Sequence, residues 1–318
     1  MLNAVGHNTY LIDTMLYGPM RAACYLIQDG DDLAVIDNGT HHTVPLILET
    51  IKELGATPEQ VRWVIPTHVH LDHAGGTGGL MQACTNATLV IHPKGATHMI
   101  DPSKLTAGAT AVYGAEAFER DFGTLLPVDE NRVIAADDGQ EFELGSRTLR
   151  FIDTPGHANH HGCIYDSSSE YIFTGDTFGL GYSQFREGND ALLVATTTPV
   201  AYDPEGWMVS LDKLMALKPK GACLTHYGLI EDPQQYVDML RASIQAHTDI
   251  ALAEENNDNE GREGRLKEAV SSLLLGAANN HCGMSEADAE DIFAHDIELN
   301  AQGLNIWLVR RAKKRAAN

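Results

Sequence analysis

The chain has 318 residues, 43% of them hydrophobic and 21% charged, enough apolar content to fill the core of one large or two modest domains. Its 44 Asp and Glu outweigh 22 Lys and Arg for a net charge of −22. That field repels polyanions, so nucleic acid and anionic membrane are set aside as partners and a small molecule is expected instead. Met1 to Asp13 carries neither a basic leader nor an apolar run, which predicts no signal peptide, and no stretch reaches the roughly 18 apolar residues of a membrane span. Five scattered cysteines (Cys24, Cys84, Cys163, Cys223, Cys282) form no CxxC. They fit buried reduced thiols and a cytoplasmic location better than a disulfide framework or a thiolate zinc knot.

In chain order, Ala23 to Gln28 and Leu33 to Asp37 read as paired strands around the turn Asp29-Gly30-Asp31-Asp32. Val44 to Leu54 reads as a helix stopped at Gly55. Val61 to Ile65 is a short unbroken apolar run, the pattern of a strand covered on both faces. The glycine-rich Ala74 to Gly79 leads into a helix towards Gln82, and Thr88 to Ile91 is a further strand. The pattern then restarts with strands at Thr148 to Ile152, Gly162 to Asp166, Tyr171 to Thr174 and Ala222 to Thr225. Asp203-Pro204 is a strong helix start. After it, Trp207, Leu211, Leu214 and Met215 make an apolar stripe suited to lying on a sheet. Two similar mixed halves suggest two facing sheets with helices outside. From about Asp232 strand signals stop. Pro233 to Ala253, the stripe Leu266, Val270, Leu273, Leu274, and Ser285 with Asp288 as a capping box predict a helical tail. The expected organisation is a domain over residues 1–231 and a helical region over 232–318.

The chemistry concentrates in Thr67-His68-Val69-His70-Leu71-Asp72-His73-Ala74-Gly75-Gly76. Side chains two apart on extended backbone point the same way, so His68 and His70 can share one metal. If a helix follows, Asp72 and His73 project from its start towards a second position. Imidazole with carboxylate suits zinc, iron or manganese. Three further candidates each follow an apolar strand: His157 after Thr154-Pro155-Gly156, Asp176 after Gly175, and His226 after Thr225.

The HxHxDHAGG segment, the later TPGH, the GD after an apolar strand and the final TH together resemble the metallo-β-lactamase fold superfamily of metallohydrolases, over roughly residues 8 to 230. The resemblance implies an αββα sandwich, here with a C-terminal helical appendage. It implies that His68, His70 and His157 hold one metal, that Asp72, His73 and His226 hold another, and that Asp176 bridges them. Two divalent ions are the implied cofactors, zinc first, with iron or manganese as alternatives. Paired cations lower the pKa of a shared water, and the resulting bridging hydroxide attacks a carbonyl or phosphorus. Asp72 is the expected catalytic group, orienting that hydroxide or relaying a proton. No GxSxG elbow competes with this scheme.

Other positions follow with less force. Asp37 matches a carboxylate beneath the metal loop, against the alternative of a strand-ending turn residue. His161 is expected to be structural, His41 and His42 to sit in a solvated loop, and His92, His98 and His160 to have no role. The basic run Arg310, Arg311, Lys313, Lys314, Arg315 reads as a solvated helix end.

Within the superfamily, net charge argues against ribonuclease-type members. His70 in place of Glu, with no flavin domain, argues against flavodiiron types, and the full dinuclear set argues against mononuclear persulfide dioxygenases. The segment from Gly175-Asp176-Thr177-Phe178 to Phe185-Arg186-Glu187-Gly188 resembles glyoxalase II. There, however, Tyr182-Ser183-Gln184 replaces the Cys-Gly-Lys/Arg that contacts glutathione. Gly179 stands where acyl-homoserine lactonases carry tyrosine, for which Tyr182 or Tyr227 are the candidate substitutes. The sandwich with helices also resembles the quinolone-signal response thioesterase, whose helices wall the site and support a homodimer. The expected activity is hydrolysis of a small ester, thioester or lactone. The alternatives are a small-substrate phosphodiesterase, a di-iron redox or oxygen-binding protein, and a regulatory binding protein.

Overall fold

The computed structural model describes residues 2–188 and 190–317. The chain forms two compact units. The first comprises Met1–Asp153, His160–Gly175 and Pro219–Glu231 and contains every strand of the described residues. Its first sheet runs in sequence order, β1(Asn3–Gly6), β2(Thr9–Asp13), β3(Ala23–Asp29), β4(Asp32–Ile36), β5(Val61–Ile65), β6(Thr88–Ile91) and β7(Val133–Ala135). It is antiparallel from β1 to β4 and parallel from β4 to β7. The second sheet has six strands: β8(Glu141–Leu144), β9(Arg147–Asp153), β10(Gly162–Asp166), β11(Tyr171–Gly175), β12(Gly221–Leu224) and β13(Gly228–Glu231). All its pairings are antiparallel except β11 with β12.

Side-chain alternation explains why these strands read as unbroken apolar runs. Tyr25, Ile27, Ile36 and Ile65 of the first sheet meet Phe142, Leu149, Phe151, Ile164 and Phe173 of the second. On the opposite face, Leu26, Val35, Val64 and Leu89 pack with residues of α1(Val44–Glu53), α3(Thr77–Ala83) and α4(Pro93–Ile100), among them Ile47, Ile51, Leu80 and Met99. The short α2(Leu71–Ala74), α5(Ser103–Tyr113) and α6(Ala115–Asp121) complete this unit's α-helices among the described residues. The helix expected to begin after the glycine run starts inside it, at Thr77. Tyr25 Oη donates to the Leu224 carbonyl, joining the two sheets where β12 ends.

The parallel pairs decide where chemistry can gather. β4 and β5 point the same way, as do β11 and β12. Their C-terminal ends therefore deliver Asp37, Thr67 to His73, and Thr225-His226 to one edge of the sandwich.

The second unit comprises Thr154–Asn159, Asp176–Lys218 and Asp232–Asn318. It holds α7(Pro204–Met215), α8(Val237–Ala253), α9(Arg262–Cys282) and α10(Glu286–Ala317). Asp203 caps α7 through Gly206 N–H, with Pro204 in its first turn, as the sequence predicts. All four stripe residues, Trp207, Leu211, Leu214 and Met215, are buried. α9 stops at Gly283, whose φ of 66° closes the helix. Ser285 Oγ then accepts from Asp288 N–H ahead of α10. The terminal basic run is engaged rather than merely solvated: Arg311 and Arg315 pair with Glu255, and Arg310 donates to the Val200 carbonyl. No helix of the described residues is long and apolar enough to cross a membrane.

His247 of α8 is fully buried. Its Nδ1 donates to the Ser243 carbonyl at 2.8 Å, and its Nε2 finds no partner among the described residues. Burial holds its pKa down to about 4, so the folded chain keeps this imidazole neutral. The unfolded chain takes up a proton near pH 6.5, and stability from this group is therefore lost as pH falls from about 6.5 to about 4. Urea unfolding of wild type and His247→Leu across that range should show a wild-type slope steeper by up to ~1.4 kcal/mol per pH unit. Equal slopes would contradict the assignment.

Candidate metal centre

In the first unit, β5 ends at Ile65 and the chain passes through Thr67, His68 and His70 before turning into α2. His70 is the last extended residue, with ψ of 150°, and Asp72 and His73 occupy the first turn that follows. His68 Nε2 and His70 Nδ1 face each other at 2.8 Å. Asp72 Oδ2 lies 3.5 Å from His73 Nε2 and 3.2 Å from His226 Nε2. One donor atom from each of Asp72, His73 and His226 falls within 4.8 Å of the others, and only Asp72 of the three is not buried.

Three of these imidazoles, His73, His226 and His68, are aimed by their other nitrogen. His73 Nδ1 donates to Asp37 Oδ2 at 2.8 Å, and His226 Nδ1 to the Arg21 carbonyl at 2.8 Å. Both rings thus turn an Nε2 lone pair towards Asp72. Thr67 Oγ1 gives its one hydrogen to Asp37, 2.9 Å away, so towards His68 Nδ1 at 3.1 Å it can only accept. That leaves the His68 Nε2 lone pair facing His70. Fixing the tautomer through the distal nitrogen is how proteins prepare histidine for a cation.

Asp37 is the hub of this arrangement, and the structure decides for the carboxylate role over the turn role. It is buried and also accepts from Thr67 N–H at 2.7 Å and the Thr225 hydroxyl at 2.6 Å. The metal loop is tied to the segment after Asp37 by Asn38 N–H to the His73 carbonyl, 2.8 Å, and Gly76 N–H to the Gly39 carbonyl, 3.0 Å. A β-carbon at Gly76 would come within 2.7 Å of the Asn38 and Thr40 carbonyls, so the second glycine of the motif is required by close backbone approach.

In the second unit, His157 Nε2 and Asp176 Oδ2 lie 3.3 Å apart, both residues buried. His157 Nδ1 donates to the Thr196 carbonyl at 2.8 Å, leaving Nε2 for the carboxylate side. The loop carrying His157 is bolted to α7: Ser210 Oγ donates to the Pro155 carbonyl and Asp203 N–H to the Gly156 carbonyl. The Trp207 ring stands edge-on to His157 at 5.9 Å.

Of the seven expected residues, His68, His70, Asp72, His73 and His226 lie in the first unit and His157 and Asp176 in the second. Imidazole and carboxylate donors, five of the seven residues buried, fit a divalent cation. His161, buried, stacks on His68 at 4.8 Å. His160, given no role from sequence, lies 6.1 Å from the His68 ring. His92 caps α4 and His42 Nε2 meets the Glu119 carbonyl, so both are structural. Tyr182 Oη donates to Asp296, and Tyr227 packs against the inter-sheet core. Tyr113, whose hydroxyl is held up to about 12 by burial and then by the charge of Asp72, is a neighbour of the site that no motif announces. Thr67 and Thr225, each directly before a histidine, were equally silent.

A profile of the metallo-beta-lactamase superfamily matches residues 17–226. A metallo-beta-lactamase fold-containing protein of Sulfurisphaera tokodaii is 31% identical over 174 residues, 54% of this chain and 62% of that protein. An atrochrysone carboxyl ACP thioesterase of Aspergillus fumigatus is 29% identical over 204 residues, 64% of this chain and 50% of the enzyme. A hydroxyacylglutathione hydrolase of Cupriavidus taiwanensis is 28% identical over 287 residues, 85% of this chain and 91% of that protein. The chain thus spans between half and two thirds of the first two relatives. The crystal structure of an archaeal superfamily protein from Sulfolobus tokodaii aligns with a TM-score of 0.64 at 22% identity, covering 94% of this chain and 98% of the other. The fold it shares is two mixed sheets with flanking helices.

Asp37→Asn keeps the side chain's size and tolerates the φ of 51° at this position, but removes the charge and turns one of two acceptor oxygens into an NH2, so Thr67, Thr225 and His73 can no longer all donate to it. Its expected effect is a 10- to 100-fold loss of affinity for a metal held by His73, read by chelator competition on protein with unchanged circular dichroism. Unaltered affinity would contradict the role given to Asp37.

Proposed function

Because this chain belongs to the metallo-beta-lactamase superfamily, a family of metallohydrolases, we propose that it hydrolyses a small ester, thioester or lactone at a dinuclear centre. His68, His70 and His157 would hold one ion, Asp72, His73 and His226 the other, with Asp176 between them. The observation that carries this reading is that His68, His73, His157 and His226 are each fixed through Nδ1 and turn Nε2 towards the other candidate ligands. Covalent connection supports the pairing of the two groups. Thr154–Asn159, which carries His157, is a six-residue excursion between β9 and the residues leading into β10, and Asp176 is joined directly to Gly175 at the end of β11.

Bound divalent ions would supply hydroxide at neutral pH and polarise the scissile carbonyl. The protein's own contribution is placement and proton handling. Asp72, the more open member of its trio, is positioned to hold the proton released during attack and return it to the departing oxygen or sulfur. The pinned histidines cost little reorganisation when charge develops.

Two features favour an acyl substrate over a phosphodiester. The net charge of −22 opposes an anion. Beside α2, Leu16 packs with Leu71, Phe118 and Phe122, while Met15, Tyr17 and Met20 of the same loop stand exposed, an apolar surface suited to an acyl chain. The thioesterase and hydroxyacylglutathione hydrolase among the relatives agree with this choice.

Removing metal with a chelator, verified by elemental analysis, should abolish hydrolysis of aryl esters and thioesters, and added zinc, manganese or iron should restore it. A bis-aryl phosphate should be turned over far more slowly than either acyl substrate. Full activity in verified metal-free protein would overturn the reading.

A further inference from the structure

We infer that Asn300 of α10 and Ser243 of α8 are positioning residues for His157, so that the C-terminal helices set metal affinity through it. The inference rests on the reading of His157 as a ligand.

His157 takes its orientation from a main-chain carbonyl, that of Thr196. A carbonyl in an irregular segment aims a ring only as well as the segment itself is held, and this one is held on both sides. Immediately before it, Ala195 N–H donates to Ser243 Oγ at 2.9 Å. Immediately after it, Thr197 N–H donates to Asn300 Oδ1, and the Thr197 hydroxyl donates to the same oxygen at 2.8 Å. Thr196, Thr197 and Asn300 are all buried, where such bonds exchange with water least.

A separate feature of α10 points to the same contact. Gly303 lies inside a 32-residue helix, where glycine is less favourable than alanine. A β-carbon there would stand 1.6 Å from the Thr197 carbonyl oxygen. The helix gives up propensity at the one turn that must lie against this segment.

The segment also reaches the second candidate ligand of this unit. Val194 and Leu180 exchange backbone hydrogen bonds of 2.8 and 3.0 Å, and Gly179 N–H closes a turn on the Asp176 carbonyl at 2.9 Å. One strap over residues 193–197 therefore braces the His157 ring and the backbone turn of Asp176, and two helices brace the strap.

The test is zinc affinity of the full-length protein by competition with a chromophoric chelator, with stoichiometry from elemental analysis. Asn300→Leu and Ser243→Ala should each weaken one of two bound ions about tenfold, the low end for groups that act through a ligand's partner. Ser243→Thr, which keeps the hydroxyl acceptor, should bind as wild type does. Thr248→Val removes another buried bond of α8, the one to Tyr202 Oη; it should lower stability and leave both affinities alone. If Asn300→Leu does not fold, the half-buried Ser243 pair decides. Wild-type affinity in Ser243→Ala, or an equal loss in Thr248→Val or Ser243→Thr, would overturn the inference. A wild type that binds no metal would instead overturn the site itself, and this inference with it.

Discussion

The first unit is organised around one buried carboxylate. Asp37 leaves β4 with a left-handed φ of 51° and accepts hydrogen bonds from Thr67 after β5, Thr225 after β12 and His73 in α2. An uncompensated carboxylate in such a place costs several kcal/mol. Here the charge is spread over two hydroxyls, a main-chain N–H and an imidazole, and each of those bonds is charge-assisted. The donors come from both sheets, so satisfying this one group fixes how the strand ends meet. His73, directly, and His68, through Thr67, are then aimed as a by-product of solving an electrostatic problem.

The second unit solves its part differently. Behind the Nδ1 of His157 stands a main-chain carbonyl, whose position is inherited from α8 and α10. A carboxylate raises the basicity of an imidazole more than a neutral carbonyl does. The two halves of the proposed centre therefore offer unequal ligands: His73 backed by a full negative charge, His157 by a dipole. Such asymmetry is a physical reason for two ions at one centre to be held with different strength.

Much of this was readable from the chain alone, for identifiable reasons. Strands buried on both faces, such as Val61 to Ile65, announce themselves by composition, and histidines two apart at a strand end announce a shared direction. Asp203-Pro204 marked its helix because capping is local. What stayed hidden was of two kinds. β1, β2, β7, β8, β13 and the helices α4 to α6 lack strong signals: β8 has four residues, and α5 buries none of its side chains. The supports of the site were hidden because they are main-chain atoms or ordinary residues. Every residue owns a carbonyl, so nothing distinguishes Arg21 or Thr196 until the fold brings a ring nitrogen to it. Asn300 lies 143 positions from the histidine it serves, within a helix whose sequence gives no hint of that duty.

The central claim is that these imidazoles and carboxylates converge on a pair of cations. Anomalous diffraction at the zinc edge, from crystals grown with zinc, addresses it most directly. The account predicts two peaks roughly 3.5–4 Å apart, one at Asp72, His73 and His226, the other at His68, His70 and His157. A single peak, or zinc bound elsewhere while these rings turn away from one another, would contradict it.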